Sequence, residues 1–387
     1  MMAIQNGQVT LTAQCLCKSH TFSAPVPESS LPLEGSICHC TSCRRVTGAM
    51  YANAINWPGS SDEVLSSDLT RYGFTSNASL LFCGRCSSPV FWDQHYNDGP
   101  QNICVFAGVL NNVPVKSLIK VLNQIFVGDT EDGGFSQWLQ LVNRDGEKPR
   151  RWKGRAYESE ELDNDWPMNN PSSSTKDPHT NAISIRCHCK GIEFVFRPGN
   201  TDFSAMDAGS LPSYIDPKTH KHLATHDACN SCRLSVGVEI MNWTSALLQQ
   251  IDFPSKSGGS HFPRSTFELK AAVQSSIIDP RYGTLAMYSS SPNVQRYFCS
   301  RCSASVFYTV DDCPEQIDVA LGLLDSTEGS RIESILTWDL GAKMIGEQDL
   351  VGGWREDFVQ SVKEASEQWR IQKGYPKTWE RISSEGA

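Results

Sequence analysis

The residues most able to do chemistry are Cys38, Cys40 and Cys43, three thiols on one short loop spaced C-x-C-x-x-C. Thiols packed that closely bind a soft or borderline metal, and zinc takes tetrahedral thiolate ligands. A closed structural site uses four protein ligands, whereas three with a vacant fourth position are the form of a catalytic site. Such a site accepts a water, a carbonyl oxygen or an incoming thiolate. The alternative is a second structural site whose fourth ligand is His39, His20 or Cys104. Ligand count favours the open site. Arg44 and Arg45 follow directly. Guanidinium forks bind carboxylates bidentately, so this pair is a candidate for holding an acidic thiol, although two solvated surface charges are the commoner finding. His39, flanked by ligands, is a candidate second-shell group or proton carrier, and more often such a histidine orients its loop.

The other cysteines form pairs. The sequence has 15, of which only Cys104 and Cys313 stand outside tight clusters. Cys15 and Cys17 form a C-x-C pair, and Cys83 and Cys86 a distant C-x-x-C pair. Cys187 and Cys189, with Cys299 and Cys302, repeat that arrangement. Each quartet supplies four thiolates, so each is expected to close a structural zinc site that ties the start of a module to a hairpin near its end. Buried unligated thiols would not cluster twice at one spacing. For Cys104 and Cys313, and for Phe91 and Trp92, core packing is the expected role.

The text around the clusters also repeats. FCGRCSSPVFW at 82–92 matches FCSRCSASVFY at 298–308, and ICHCTSCRRVTG at 37–48 matches HDACNSCRLSVG at 226–237. ICVFAGVL at 103–110 matches IDVALGLL at 317–324, with Gly108 facing Gly322. Three matched blocks in one order indicate two tandem copies. In the second copy Asp227 stands opposite Cys38, followed by Cys229 and Cys232, and Arg45 becomes Leu234. Asp227, Cys229 and Cys232 can bind zinc, two thiolates with nearby His226 can also do so, and the site can equally be a decayed one kept for the fold. Impaired or absent catalysis in the second copy is the favoured reading. Cys43 to Cys83 is 40 positions and Cys232 to Cys299 is 67, so the second copy carries insertions, expected as loops such as 244–265.

These sites need elements to position them. At 387 residues, 39% hydrophobic and 20% charged, the chain is long enough for two cores. Short apolar runs at 90–92, 102–110 and 305–310 read as strands. Trp354, Phe358, Val362, Ala365 and Trp369 fall on one face of an amphipathic helix, expected to pack on a domain. The expected organisation is a first module at 9–150, a polar linker at 151–181, a second module at 182–345 and a helical tail at 346–387. The formal net charge of −9 argues against a nucleic-acid or anionic-membrane partner. No signal peptide or membrane-spanning apolar run is seen, so the expected location is the cytoplasm, with the nucleus as the alternative.

With these residues in view, the sequence resembles the glutathione-dependent formaldehyde-activating enzyme family, which includes centromere protein V. The family pattern is C-x-C, then C-H-C-x-x-C with basic residues, then F-C-x-x-C. The first copy carries it at Cys15, Cys17, Cys38, His39, Cys40, Cys43, Arg44, Arg45, Phe82, Cys83 and Cys86. The second carries it at Cys187, Cys189, Cys229, Cys232, Phe298, Cys299 and Cys302. The resemblance implies a mainly β structure of two tandem zinc-clipped β-tent modules. It implies carbon–sulfur lyase chemistry that joins a small-molecule thiol and an aldehyde, glutathione and formaldehyde, reversibly into S-hydroxymethylglutathione. It also implies that the four-cysteine zinc is structural and that Cys38, Cys40 and Cys43 carry the chemistry. The sequence departs from the family in having two modules and in following Cys17 with Lys18 and Ser19 where glycine is frequent. Three other readings remain: a lyase acting on another thiol adduct in detoxification or secondary metabolism, a non-catalytic zinc-folded interaction protein, and C-x-x-C redox chemistry, against which the missing βαβ pattern counts.

Overall fold

The computed structural model describes residues 4–5, 7–95, 101–167, 182–254 and 261–385. Two antiparallel-rich sheets dominate, each with the same order of strands. From the middle of the first sheet outward, Leu33–Cys38 pairs with Ala52–Asn56, then come Asn102–Phe106, Pro89–Gln94, Ala78–Phe82 and Thr70–Thr75. On the other side of Leu33–Cys38 lies Ile119–Ile125, in parallel. The second sheet runs His222–Asp227, Met241–Leu247, Gln316–Ala320, Ser305–Val310, Val294–Cys299 and Leu285–Ser291, with Leu336–Trp338 parallel to the first of these. The register is also shared: Cys38 lies opposite Ala52 as Asp227 lies opposite Met241.

The strands follow from period-two burial of apolar residues. Thr21–Pro27 alternates exposed and buried along its whole length, one face pairing Phe22, Ala24 and Val26 with the core. The run at 102–110 is a strand only as far as Phe106; a 3₁₀ turn, Ala107–Val109, follows. Two expectations are corrected. Residues 150–162 of the expected module end and linker (151–181) form two further strands, Arg150–Trp152 and Glu161–Leu162, on the edge of the first sheet. The rest of that linker from 168 lies outside the described residues. The expected loop at 244–265 begins inside strand Met241–Leu247, and Ile251–Asp252 pairs with Glu193–Phe196. Residues 255–260 of it lie outside the described residues.

The two halves meet at their helix ends. Each C-x-x-C loop leads into a short helix, Thr41–Thr47 or Asn230–Val236, closed by a left-handed glycine, Gly48 or Gly237. The amide of Gly108 donates to the Gly237 carbonyl at 2.9 Å, and the amide of Gly322 to the Gly48 carbonyl at 3.0 Å. These reciprocal contacts bring backbone against backbone. A β-carbon on Gly322 would stand 2.1 Å from the Ala49 carbonyl oxygen, and one on Gly108 would stand 2.2 Å from the Val238 nitrogen. Glu239 is buried beside them and accepts from Tyr51 Oη at 3.2 Å and Asn53 Nδ2 at 2.6 Å.

The C-terminal helix Trp354–Lys373 is amphipathic as expected, burying Trp354, Phe358, Val362, Ala365 and Trp369. It straps the halves together instead of trailing from the second. Arg355 Nη2 donates to the carbonyls of Ala107 and Leu110 in the first half, at 2.6 and 2.7 Å. Trp369 packs edge-on against Trp138, which also meets Trp338. One continuous apolar core therefore runs through both halves and the helix. Among the described residues no helix is long and apolar enough to cross a membrane.

Gly322→Ala is expected to destabilise the chain by about 1–3 kcal/mol through overpacking of rigid backbone. Gly73→Ala, where nothing lies within 4 Å of the new carbon, is expected to stay within about 1 kcal/mol of wild type. Chemical denaturation of both variants checks the contrast.

Candidate metal centre and its cleft

Four groups of candidate ligands converge, each with its ligand atoms within 4.8 Å of one another. Cys15, Cys17, Cys83 and Cys86 form the first quartet, and Cys187, Cys189, Cys299 and Cys302 the second. Their sulfurs sit 3.6 Å apart for Cys15–Cys17 and Cys17–Cys83, and 3.5 Å apart for Cys189–Cys299. A tetrahedron of zinc–sulfur bonds at about 2.3 Å requires edges of roughly 3.8 Å, so the spacing fits that ion and is far too long for a disulfide. Backbone amides of Cys17 and Cys302 donate to Cys86 Sγ and Cys299 Sγ, both at 3.4 Å, which supports sulfur in its anionic form. Lys18 turns the first C-x-C at φ 63°, the left-handed region in which glycine is unstrained.

Cys38, Cys40 and Cys43 form the third group. Cys38 ends a strand, and Cys40 caps the helix Thr41–Thr47, its sulfur accepting from the Cys43 amide at 3.2 Å. The C-x-x-C spacing thus places N-cap and third helical residue on one spot. The thiol of Cys38, then that of Cys43, donates to Cys40 and pulls its pKa down, while burial and the neighbouring sulfurs push Cys38 and Cys43 up. Protein alone therefore favours one thiolate here; a divalent cation is what this donor set needs to hold three.

None of the residues considered as a fourth ligand joins this group. His20 sits at the first quartet, with Nδ1 3.8 Å from Cys15 Sγ and Nε2 2.9 Å from Asp68. His39 turns into the protein, where Nε2 meets Gln124 Oε1 at 2.9 Å, and burial lowers its pKa to about 3. Cys104 stands on a wall across from the cluster, bonded to Asn56 and Asn102, and burial raises its thiol to about 11.

The cluster borders a cleft of about 390 Å³, which Cys38 and Cys43 line. Its walls are alternate residues of the first sheet: Ser36 and Cys38, Ala52, Ala54 and Asn56, Asn102 and Cys104, Trp92 and Gln94. Their small side chains at the centre leave the hollow. Phe74 and Ala78 of a hairpin, with Ile55, Leu122 and Ile125, complete an apolar lining. Trp92, expected in the core, is buried but faces this cleft; Phe91 is fully core. Phe74, Asn56 and Asn102 carried no motif. The one usable signal was a period-two run of small residues, Ala52 and Ala54, in a strand that ends at the cluster.

Arg44 and Arg45 do not line the cleft. Arg44 is buried, donating through Nε to the His39 carbonyl at 3.2 Å and through Nη2 to the Asp129 carbonyl at 3.1 Å. Arg45 reaches the second half and pairs with Asp325 at 2.8 Å. Both have partners within the protein, Arg44 the His39 and Asp129 carbonyls and Arg45 the Asp325 carboxylate.

The fourth group, Asp227, Cys229 and Cys232, repeats the loop and helix but in a different setting. Cys232 Sγ donates to Asp227 Oδ2 at 3.1 Å. Arg296 lies over it, with Nη1 3.6 Å from Cys232 Sγ and Nη2 3.1 Å from Ser231 Oγ. In strand register Arg296 opposite Tyr308 matches Leu80 opposite Trp92, so a guanidinium has replaced a leucine. Met241 and Trp243, both buried, stand where the first half has Ala52 and Ala54. Large side chains thus occupy the volume that is open in the first half. His226 is not at hand as a ligand: it bonds Asn242 at 2.7 Å within a cage of Phe135, Trp138 and Trp338.

Residues 10–129 match the model of a family described as "Glutathione-dependent formaldehyde-activating enzyme". No curated relative matches the chain, and no solved structure does. The match spans all four cysteines of the first quartet, the three-cysteine loop and the residues that line the cleft.

A cation bound at Asp227, Cys229 and Cys232 would face the Arg296 guanidinium at short range. Arg296→Leu is therefore expected to raise zinc retention at this group. Counting zinc per chain after dialysis against a weak chelator checks it; an unchanged count would separate Arg296 from metal affinity.

Proposed function

We propose that this chain, whose residues 10–129 match the glutathione-dependent formaldehyde-activating enzyme family, is a zinc-dependent carbon–sulfur lyase acting reversibly on thiol–aldehyde adducts. The observation that carries this reading is the three-thiol cluster at the edge of the cleft, with Cys38 and Cys43 on its lining. Cys38, Cys40 and Cys43 are the residues that would hold a zinc with a free position toward that cleft. Bound there, zinc supplies a Lewis acid that lowers a thiol pKa or polarises an aldehyde oxygen.

The remaining work falls to the chain. The Cys43 amide holds the Cys40 sulfur, and Arg44 fixes the loop by gripping the His39 and Asp129 carbonyls. Arg44 and Arg45 act on this reading as positioning residues. Phe74, Trp92, Leu122 and Ile125 give the cleft an apolar surface against which a thiol and an aldehyde can be held together. In the forward direction sulfur attacks the carbonyl carbon, the carbon–sulfur bond forms and the thiol proton ends on oxygen. The lyase direction reverses each of these. The two quartets serve as structural clips, Cys15, Cys17, Cys83 and Cys86 in the first half and Cys187, Cys189, Cys299 and Cys302 in the second.

A non-catalytic part is the reading that suits the second half. Met241, Trp243 and Arg296 occupy the place of its cleft, while its contacts complete the core of the first.

Exchange NMR of a thiol and an aldehyde with their hemithioacetal tests the assignment. Wild type is expected to accelerate interconversion, and Cys40→Ser to return it to the spontaneous rate. Equal rates with and without wild-type protein that carries zinc at the three-cysteine loop would sink it.

A further inference from the structure

The cleft also specifies what kind of thiol it accepts. Resting on the carbon–sulfur reading above, we propose that the substrate is an uncharged thiol adduct with an apolar, aromatic-sized body, not glutathione.

Four observations converge. The first is volume: about 390 Å³ suits a compact organic molecule buried on most of its surface. The second is the character of the walls. Phe74 and Trp92 present two rings with centroids 4.7 Å apart and planes tilted by 56°, beside Ile55 and Leu122. Rings set at such an angle make a corner into which a third ring packs.

The third is charge. Glutathione is an anion with carboxylates at both ends, and a buried carboxylate needs a cation or several donors. Among the described residues no lysine or arginine lines the cleft, and its ionised side chain is the exposed carboxylate of Glu34 at the rim. Arg44 and Arg45, the nearest cations in sequence, are turned to the Asp129 carbonyl and to Asp325. The side-chain amides of Asn56 and Asn102, at the exposed end of their strands, are partly satisfied already: Asn102 Nδ2 donates to Asn56 Oδ1 at 3.0 Å. A glutathione anion would therefore find no cation on these walls and meet the like charge of Glu34, whereas a neutral thiol gains apolar contact.

The fourth is that the aromatic wall is fixed by the second half. Phe74 stacks on His188 with centroids 4.6 Å apart. His188 Nδ1 bonds Tyr72 Oη at 2.8 Å, and its amide donates to the Arg45 carbonyl at 3.0 Å. His188 lies between Cys187 and Cys189, so the second quartet holds the wall of the first half's cleft in place. A wall braced from outside its own module is preorganised, and preorganisation is what makes shape selective.

The test uses the full-length zinc-loaded protein, with benzyl mercaptan and glutathione as probes. Calorimetry measures binding of each thiol, and exchange NMR measures interconversion of each with its formaldehyde adduct. Benzyl mercaptan is expected to bind at least about tenfold more tightly, a difference of one decade in Kd. Ala54→Trp, which copies the second half, is expected to abolish that preference by filling the hollow. Glu34→Lys, at an exposed position, is expected to fold normally and to strengthen glutathione binding. Glutathione binding as tightly as benzyl mercaptan to wild type would overturn the proposal, as would a preference that survives in a folded Ala54→Trp protein. Binding preference judges the substrate class, and acceleration judges the chemistry. A protein that prefers benzyl mercaptan yet accelerates neither exchange therefore supports the class and defeats the carbon–sulfur reading.

Discussion

Sulfur atoms held 3.5–3.6 Å apart inside a protein cannot all carry charge unless a cation neutralises them. The rest of the structure depends on that constraint. Each quartet joins the C-x-C turn near the start of a half to the C-x-x-C turn between two strands of its large sheet. The three-thiol loop is subject to the same repulsion with one ligand fewer. Its Cys40 relies on the Cys43 amide and on the thiols beside it. The quartets and the three-thiol loop thus share their chemistry and differ in the number of candidate ligands.

The two halves show how one framework is kept open or filled. Strand order and register are the same, and both C-x-x-C loops cap a seven-residue helix through the first cysteine of the pair. What differs is the face of one central strand. Ala52 and Ala54 leave a hollow; Met241 and Trp243 fill it. Arg296 then places a fixed positive charge against the remaining thiol and carboxylate. The second half has not become idle. It supplies Gly237 and Gly322 to the backbone contacts, and His188 to the aromatic wall. Its own buried His226 packs among tryptophans and phenylalanine from both halves. Cleft geometry in the first half is consequently a property of the whole chain.

Some of the structure was not legible in the sequence, for identifiable reasons. Arginines next to a cysteine loop look like anion binders in sequence; in the fold a helix of seven residues turns Arg44 toward the His39 and Asp129 carbonyls and Arg45 across to Asp325, partners that no local pattern announces. Residues 150–162 read as polar linker because edge strands bury little; Arg150 and Glu161 pair on the exposed side while Arg151, Trp152 and Leu162 are buried. The terminal helix was visible from its spacing, yet nothing in that spacing said that it would bridge both halves.

The sequence by itself determined the ligand sets, because cysteine spacing is a local property: C-x-C and C-x-x-C place two sulfurs within reach of one ion whatever surrounds them. It also determined that the blocks recur and that Gly108 matches Gly322; that both lie where backbones touch is visible only in the fold. Only the tertiary structure decided which group opens on a cleft, because a cleft is what neighbouring strands leave unfilled. Alanine in place of tryptophan is a weak signal in a sequence, since its effect depends on which residues lie across the sheet. Charge at the site was likewise decided in three dimensions: Arg44, Arg45 and Arg296 are chemically alike, and where each guanidinium points is set by long-range packing that no local pattern records.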